Sequence, residues 1–441
     1  MQLRRIVMMV PALVLVVGGS GTAAADITAE PVRVATSSVT PAGSASASQV
    51  VRPRAAATGA ASCEQVREQA AAAGQTSALC MKTAACSQVP RKVARAAAAG
   101  GGITWCDGQE WSAVHVTRTS ICEDQVVDVT LTDTRTGIVL GEAWITVKQQ
   151  VDTKNTDASF SEDFFARVQG ASGGLAEGFA LEVKADCVSA CQQGPGPWTG
   201  PAPVSVLTEK EGTWQRNWTK NTLHDSLMLE YTLTATYADA RGSYTWGVNQ
   251  SAGWEVRCDN EVGALPGCVV PSFTPTLEIP AKYNEARQFI GMVQASMNSH
   301  PGWEGKGQPL HREANETVAR KNREKVCDSS FTADASTPKP AQCDEFPFAK
   351  SRESGAQQEI PSGKVCQQYS VVSETIEGKQ YLSVTWPGLK QGKMPPANAL
   401  CARASMPKVQ NEGVGGELGR KTKQWRLIGG DAYWVDAGNK P

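Results

Sequence analysis

Thirteen cysteines, all beyond residue 62, stand behind an N-terminal stretch built like an export signal, and this combination constrains the fold of the 441-residue chain more than any other feature. Arg4 and Arg5 precede the apolar run Ile6 to Val17, and Ala23, Ala24 and Ala25 supply the small side chains a signal peptidase reads. Residues 1–25 are expected to be a cleaved signal peptide and the mature protein to be secreted, in the extracellular space. The apolar run is too short to span a bilayer, and no later stretch approaches the roughly 20 apolar residues of a spanning helix, so stable membrane insertion is not expected. In such a compartment disulfides are the default. Sequence proximity pairs Cys106 with Cys122, Cys187 with Cys191, Cys258 with Cys268, Cys327 with Cys343, and Cys366 with Cys401, leaving Cys63, Cys80 and Cys86 as a trio with one spare. Spacing alone does not prove connectivity. Zinc is the rival reading, but Cys187 and Cys191 have no second close pair and no nearby histidine to complete four ligands.

Residues 26–62 consist mainly of Ala, Ser, Thr, Val and Pro without aromatics, a composition that buries too little surface to fold, and read as a disordered linker. The chain that follows is long enough for two or three domains. Charge divides it: residues 301–441 carry a net +4 and the first 300 a net −5. Basic residues cluster at Arg320–Lys325 and at Arg420, Lys421, Lys423 and Arg426, which suits either a phosphate backbone or a solvated helix face.

Residues 63–275 are expected to form a β-rich, sandwich-like accessory region. Gln125 to Thr132 and Ile138 to Val147 alternate as strands around the turn Thr134–Gly137, and further strand patterns lie at Phe179–Val183, Leu227–Tyr237 and Ser243–Val248. Tryptophans from Trp105 to Trp254 fit a sandwich core better than an exposed binding face. From Glu285 the period becomes helical, with Ala286, Phe289, Ile290, Val293 and Met297 on one stripe; residues 276–310 read as a helical connector and Glu313 to Val326 as a second helix. Residues 311–441 read as a small α+β domain. Its strands are expected at Lys364–Ser370 and Gln380–Trp386, with a closing hairpin made by Trp425–Ile428 and Ala432–Val435.

Within that last part the block Cys343-Asp344-Glu345-Phe346-Pro347-Phe348-Ala349 carries chemistry. Adjacent residues of a strand face opposite ways, so Asp344 and Glu345 could divide their roles, while Phe346 and Phe348 anchor the backbone in a core. The competing reading is an acidic pair on a solvated turn. His311 either touches such a site or serves in capping and packing. Glycines 413, 415, 416 and 419 after Asn411 are costly in a helix but allow backbone to approach a ligand closely.

Three blocks together resemble the secreted NucA/NucB deoxyribonuclease family: Arg320-Lys321-Asn322-Arg323 running to Cys327; the Cys343–Ala349 block; and Asn411, Gly415 and Leu418 followed by Arg426-Leu427-Ile428-Gly429-Gly430-Asp431-Ala432-Tyr433. The resemblance covers roughly residues 310–437, and Arg257–Asn260 with Gly267–Pro271 resemble an accessory region of long members. It implies a ββα-metal, or His-Me finger, nuclease domain with an aspartate in place of the usual histidine base. It further implies a divalent cation, Mg²⁺ or Mn²⁺, and a DNA substrate cleaved internally without sequence specificity. By the same resemblance Asp344 is the candidate general base, Glu345 a metal or base-supporting residue and Asn411 a metal ligand. Glu417 is the expected second carboxylate, with Glu412 behind it, and Arg323, Arg420, Lys421, Lys423 and Arg426 are the expected phosphate contacts. Mg²⁺ keeps most of its sites for water and phosphate, so a sparse acidic set suffices. The 66 residues between Asp344 and Asn411 imply an inserted hairpin closed by Cys366 and Cys401. The alternative function is an extracellular binding or structural protein whose β region holds polysaccharide, with an inactive nuclease-like domain.

Overall fold

The computed structural model describes residues 32–35, 48–51, 62–83, 110, 112–196, 200–220, 222–249 and 251–438. The expected signal peptide lies outside the described residues. The β-rich expectation holds: two antiparallel sheets enclose one core. The larger sheet centres on Ser120–Asp133, Val139–Asp152 and Ser159–Gly173, and the smaller on Phe179–Val188, His224–Tyr237 and Glu255–Asp259. The predicted hairpin pairs Val127 with Ile145 and Val129 with Ala143, which sends their alternate side chains into the core. Its turn is fixed by Asp133, whose carboxylate accepts N–H bonds from Arg135 and Thr136 at 3.0 and 2.7 Å. Trp214, Trp218, Trp246 and Trp254 are buried in this core, so packing is the role of these four.

A second core begins at Leu277 and runs to Ala437. Helix α1 (Asn284–Ser296), expected as part of a connector, packs its apolar stripe into this core, with Phe289 and Val293 fully buried. Helix α2 spans Glu316–Val326 and is capped by Asn315, whose side-chain oxygen accepts from Thr317 N and Val318 N. Four strands follow: β1 (Ala341–Phe346), β2 (Gln367–Ile376), β3 (Lys379–Thr385) and β4 (Ala402–Pro407). Their order is β3, β2, β4, β1, so β1 is an edge strand, antiparallel to β4. Strand β4 runs straight into helix α3 (Lys408–Gln424).

The disulfide-closed hairpin expected between Cys366 and Cys401 is present as β2 and β3, and β2 also pairs with β4. Two expectations are corrected here, for the linker and for Trp425–Ile428. The expected linker contributes strands: Val32–Ala35 pairs with β3, and Gln49–Val51 pairs with Val114–Val116. Val32, Val34, Val50 and Val51 are strand-favouring residues within a stretch whose overall composition reads as disorder. Trp425–Ile428 forms no strand; Ala432–Asp436 (β5) instead pairs with Thr276–Glu278 and Leu310–His311. The glycine-rich Asn411 segment is fully helical.

Disulfides join Cys63–Cys80, Cys187–Cys191, Cys258–Cys268, Cys327–Cys343 and Cys366–Cys401. The last four are pairs expected from proximity, and the first selects within the trio. Cys122 is also disulfide-bonded, while its expected partner Cys106 and the leftover Cys86 lie outside the described residues. This covalent frame fits an oxidising compartment. No helix among the described residues is long and apolar enough to cross a membrane.

The two cores are locked together by buried charge. Arg426, 1% exposed, turns through a left-handed φ of 48° just after α3. Its guanidinium donates to Asp259 Oδ2 at 2.9 Å and Oδ1 at 2.6 Å, and to the carbonyls of Asp259, Leu265 and Asn155. Beside it Arg118 and Arg257 both bind the Asp431 carboxylate, at 2.9 and 2.6 Å. Every acceptor of the Arg426 guanidinium belongs to the β-rich part, so the end of α3 is held by the sandwich.

Candidate active site

A cleft of about 840 Å³ opens over the edge strand β1. Asp344 and Glu345 lie at its floor, 7% and 4% exposed. Their register explains their placement. Asp344 opposes Ala404, which is buried in the second core on the α1 side, whereas Glu345 opposes Arg403 and points toward α2. The cleft therefore wraps the sheet edge, and the two carboxylates reach it from opposite faces of one strand. The anchor expected of the flanking aromatics is present: Phe346 and Phe348 are buried and meet edge to face at 5.1 Å. Asn322 of α2 donates to Ala349 O at 2.8 Å, and the Cys327–Cys343 bridge ties the end of α2 to the residue before Asp344.

The electrostatics of the floor are unbalanced. One guanidinium serves two buried carboxylates: Arg323 Nε donates to Glu345 Oε1 at 3.2 Å. Burial raises the Glu345 carboxyl above its ordinary range, with Arg323 and the Ala349 N–H acting against it. Burial, then the charge of Glu345, pushes Asp344 up to about 8, although it accepts the Glu345 N–H at 2.9 Å.

Asn411 stands in the first turn of α3 and enters the cleft from above β1. Its Nδ2 donates to Gln342 Oε1 at 3.1 Å and to Cys343 O at 3.2 Å. With both amide hydrogens engaged, Oδ1 remains as the acceptor end of the side chain. Asn411, Gly415 and Gly419 recur every fourth residue and line the cleft as one helical stripe. A side chain at Gly415, Gly416 or Gly419 meets nothing within 4 Å, while one at Gly413 would run into the Tyr283 ring at 2.1 Å. Gly416→Ala is thus expected to stabilise the protein by about 1 kcal/mol and Gly413→Ala to destabilise it, as read by denaturant melts.

The structure separates the other expected site residues. Glu417 does not line the cleft; six residues past Asn411 it lies on another face of α3, paired with Arg420 and, at 3.7 Å, with Lys282. Glu412 lines the cleft instead and accepts from Gln342 Nε2 at 3.3 Å. Arg323 and Lys423 line the cleft. Arg420 pairs with Glu417, Lys421 sits 5.0 Å from the Trp425 ring, and buried Arg426 is fully engaged with the sandwich. His311 is held by Glu353 at 2.8 Å and is not a cleft residue. Sequence reasoning missed Gln342, which shares its strand face with Asp344, and missed Glu261 to Gly263 of the β-rich part, for which no local signal exists.

Whether a hard cation fits is decided by donor chemistry. Asp344, Glu345 and Asn411 Oδ1 are oxygen donors that line one cleft, the ligand type hard cations take, with Arg323 as the countercharge beside Glu345. Among the described residues no three Asp, Glu, His or Cys side chains cluster closely enough to make a cage of their own. Comparison with family models, curated proteins and solved structures finds no match to this chain.

Proposed function

We propose that the chain is a secreted, divalent-metal-dependent endodeoxyribonuclease that hydrolyses DNA phosphodiester bonds without sequence specificity, as its resemblance to NucA/NucB nucleases implies. The observation that carries this reading is the arrangement of three groups around one strand edge. Asp344 and Glu345 reach the cleft from opposite faces of β1, and an antiparallel partner strand feeds directly into the helix that presents Asn411. This strand–strand–helix unit supports a ββα-metal type of nuclease domain.

Phosphodiester hydrolysis needs a proton acceptor for water and positive charge near the phosphate. Asp344 is the proposed base: it is enclosed, braced by the Cys327–Cys343 bridge, and raised in proton affinity toward the working pH by burial. Glu345 and Asn411 Oδ1 are the proposed ligands of Mg²⁺ or Mn²⁺, which when bound would neutralise charge developing on the phosphate and leaving oxygen. Arg323, 63% exposed and paired with Glu345, is proposed to hold a non-bridging phosphate oxygen, and Lys423 to hold the next phosphate along the strand. Glu417, Arg420, Lys421 and Arg426 have no part in this scheme.

The expected result is that purified full-length protein converts closed circular plasmid to nicked and linear forms with Mg²⁺ or Mn²⁺, and that EDTA stops the conversion. Plasmid left closed with either metal would overturn the proposal. For the polysaccharide-binding alternative, Trp214, Trp218, Trp246 and Trp254 are sealed in the sandwich core and present no ring to a glycan, Trp144 is half-buried, and Trp105, Trp111 and Trp198 lie outside the described residues.

A further inference from the structure

We infer that the cleft takes one nucleic-acid strand at a time, and that the β-rich part enforces this selectivity; the inference rests on the nuclease reading above. The carboxylates lie at the floor of the cleft, 7% and 4% exposed, with walls from three bodies. Helix α2 contributes Arg323 and Glu324, helix α3 contributes Asn411 and Lys423, and the loop between the disulfide-joined strands Glu255–Asp259 and Gly267–Val269 contributes Glu261 to Gly263. That third wall is fixed. Arg426, at the end of α3, is bound by Asp259 and by Leu265 O on the two sides of the loop, and Val262 N donates to Asp259 Oδ1 at 3.1 Å.

Charge acts in the same direction as these walls. Seven carboxylates and four cationic side chains line the cleft, so even with a divalent cation present it is no funnel for a polyanion. Glu261, Glu316, Glu324 and Glu412 are exposed around it. Their partners, His224 for Glu261 and Lys350, Arg320 and Lys408 for the others, only partly offset them. Duplex DNA brings one negative charge per about 1.7 Å of axis and a single strand about half that density. A duplex whose scissile phosphate reached the floor would press its second backbone against the acidic walls. A single strand can enter with its phosphates toward Arg323 and Lys423 and its bases turned outward.

The test uses the full-length protein with Mg²⁺ on matched oligonucleotides: single-stranded, fully paired, and paired with a central unpaired loop. The expected initial rate on the single strand is at least about tenfold above that on the duplex, with cleavage of the third substrate confined to its loop. With two available cations, binding of the single strand should weaken with salt at a log–log slope of about −1.4. Glu261→Gln should raise the duplex rate about threefold relative to the single strand. Equal or faster cleavage of the duplex would overturn the inference while leaving the nuclease reading intact. An unchanged ratio in Glu261→Gln would remove the β-rich part from it. Failure to cut any of the three substrates would overturn the nuclease reading and the inference together.

Discussion

At pH 8, Asp344→Asn is expected to melt above the wild-type protein, by about 1–3 kcal/mol in unfolding free energy, while losing DNA cleavage. The sign follows from the direction of the shift. The Asp344 carboxyl is pushed up to about 8 in the folded chain, chiefly by burial and then by Glu345. A group that binds its proton more tightly when folded favours the folded state at low pH, and this contribution is lost as pH rises from about 4 through 8. The wild type should therefore lose stability over that window, and the asparagine variant, which never ionises, should lose less. Near pH 4 the two chains should melt within a few tenths of a kcal/mol of each other. Thermal melts at both pH values check this. A variant less stable than wild type at pH 8 would mean that the ionised carboxylate is favourably held. A group retained at the floor of a cleft despite such a cost fits a functional role better than a structural one.

Arg426→Ala is expected to destabilise the protein by about 3–5 kcal/mol, the usual effect of stranding one member of a buried ion pair. Asp259, fully buried, would lose both carboxylate bonds to the guanidinium, and the carbonyls of Asn155 and Leu265 would lose their donor. The left-handed φ at Arg426 ends helix α3, with Leu427 N donating to Thr422 O at 3.0 Å, and the side chain leaves from that turn into the sandwich. The double variant Arg426→Met with Asp259→Leu should recover much of the loss, because no buried charge is then left unpaired. Equilibrium denaturation of the three chains checks both statements. A wild-type melting curve for Arg426→Ala would show that the sandwich and the second core are not coupled there. If they are coupled, residues 311–441 expressed alone should fold poorly, since Arg426 and Asp431 would then both lack their partners.

What could be read from the chain was what local periodicity encodes. The stripe of α1, the hairpin at Thr134–Gly137 and four of the disulfides each depend on residues near one another in sequence. The opposed faces of Asp344 and Glu345 were legible because a strand alternates strictly. Glu417 failed for an equally local reason: a six-residue step on a helix turns about 240° from Asn411, so the spacing itself argued against a shared site. Glu412, Gly415 and Gly419 satisfy the same geometry, and the glycines keep that helix face open. Arg426 could not be read correctly, because within its own segment it completes a basic cluster, and only Asp259, 167 residues away, makes it structural. The walls supplied by Glu261 to Gly263 are likewise set by tertiary docking, which no pattern in residues 311–441 records.

The floor of this cleft is proposed to carry out metal-dependent DNA hydrolysis through Asp344. The most direct test is the single-turnover rate of cleavage of one single-stranded oligonucleotide by wild type and Asp344→Asn at saturating Mn²⁺ and in EDTA. The wild type should cleave only with metal. The variant, shown to be folded by its melt, should be slower by a factor on the order of 10³. Metal-dependent cleavage at the same rate by both chains would contradict the assignment.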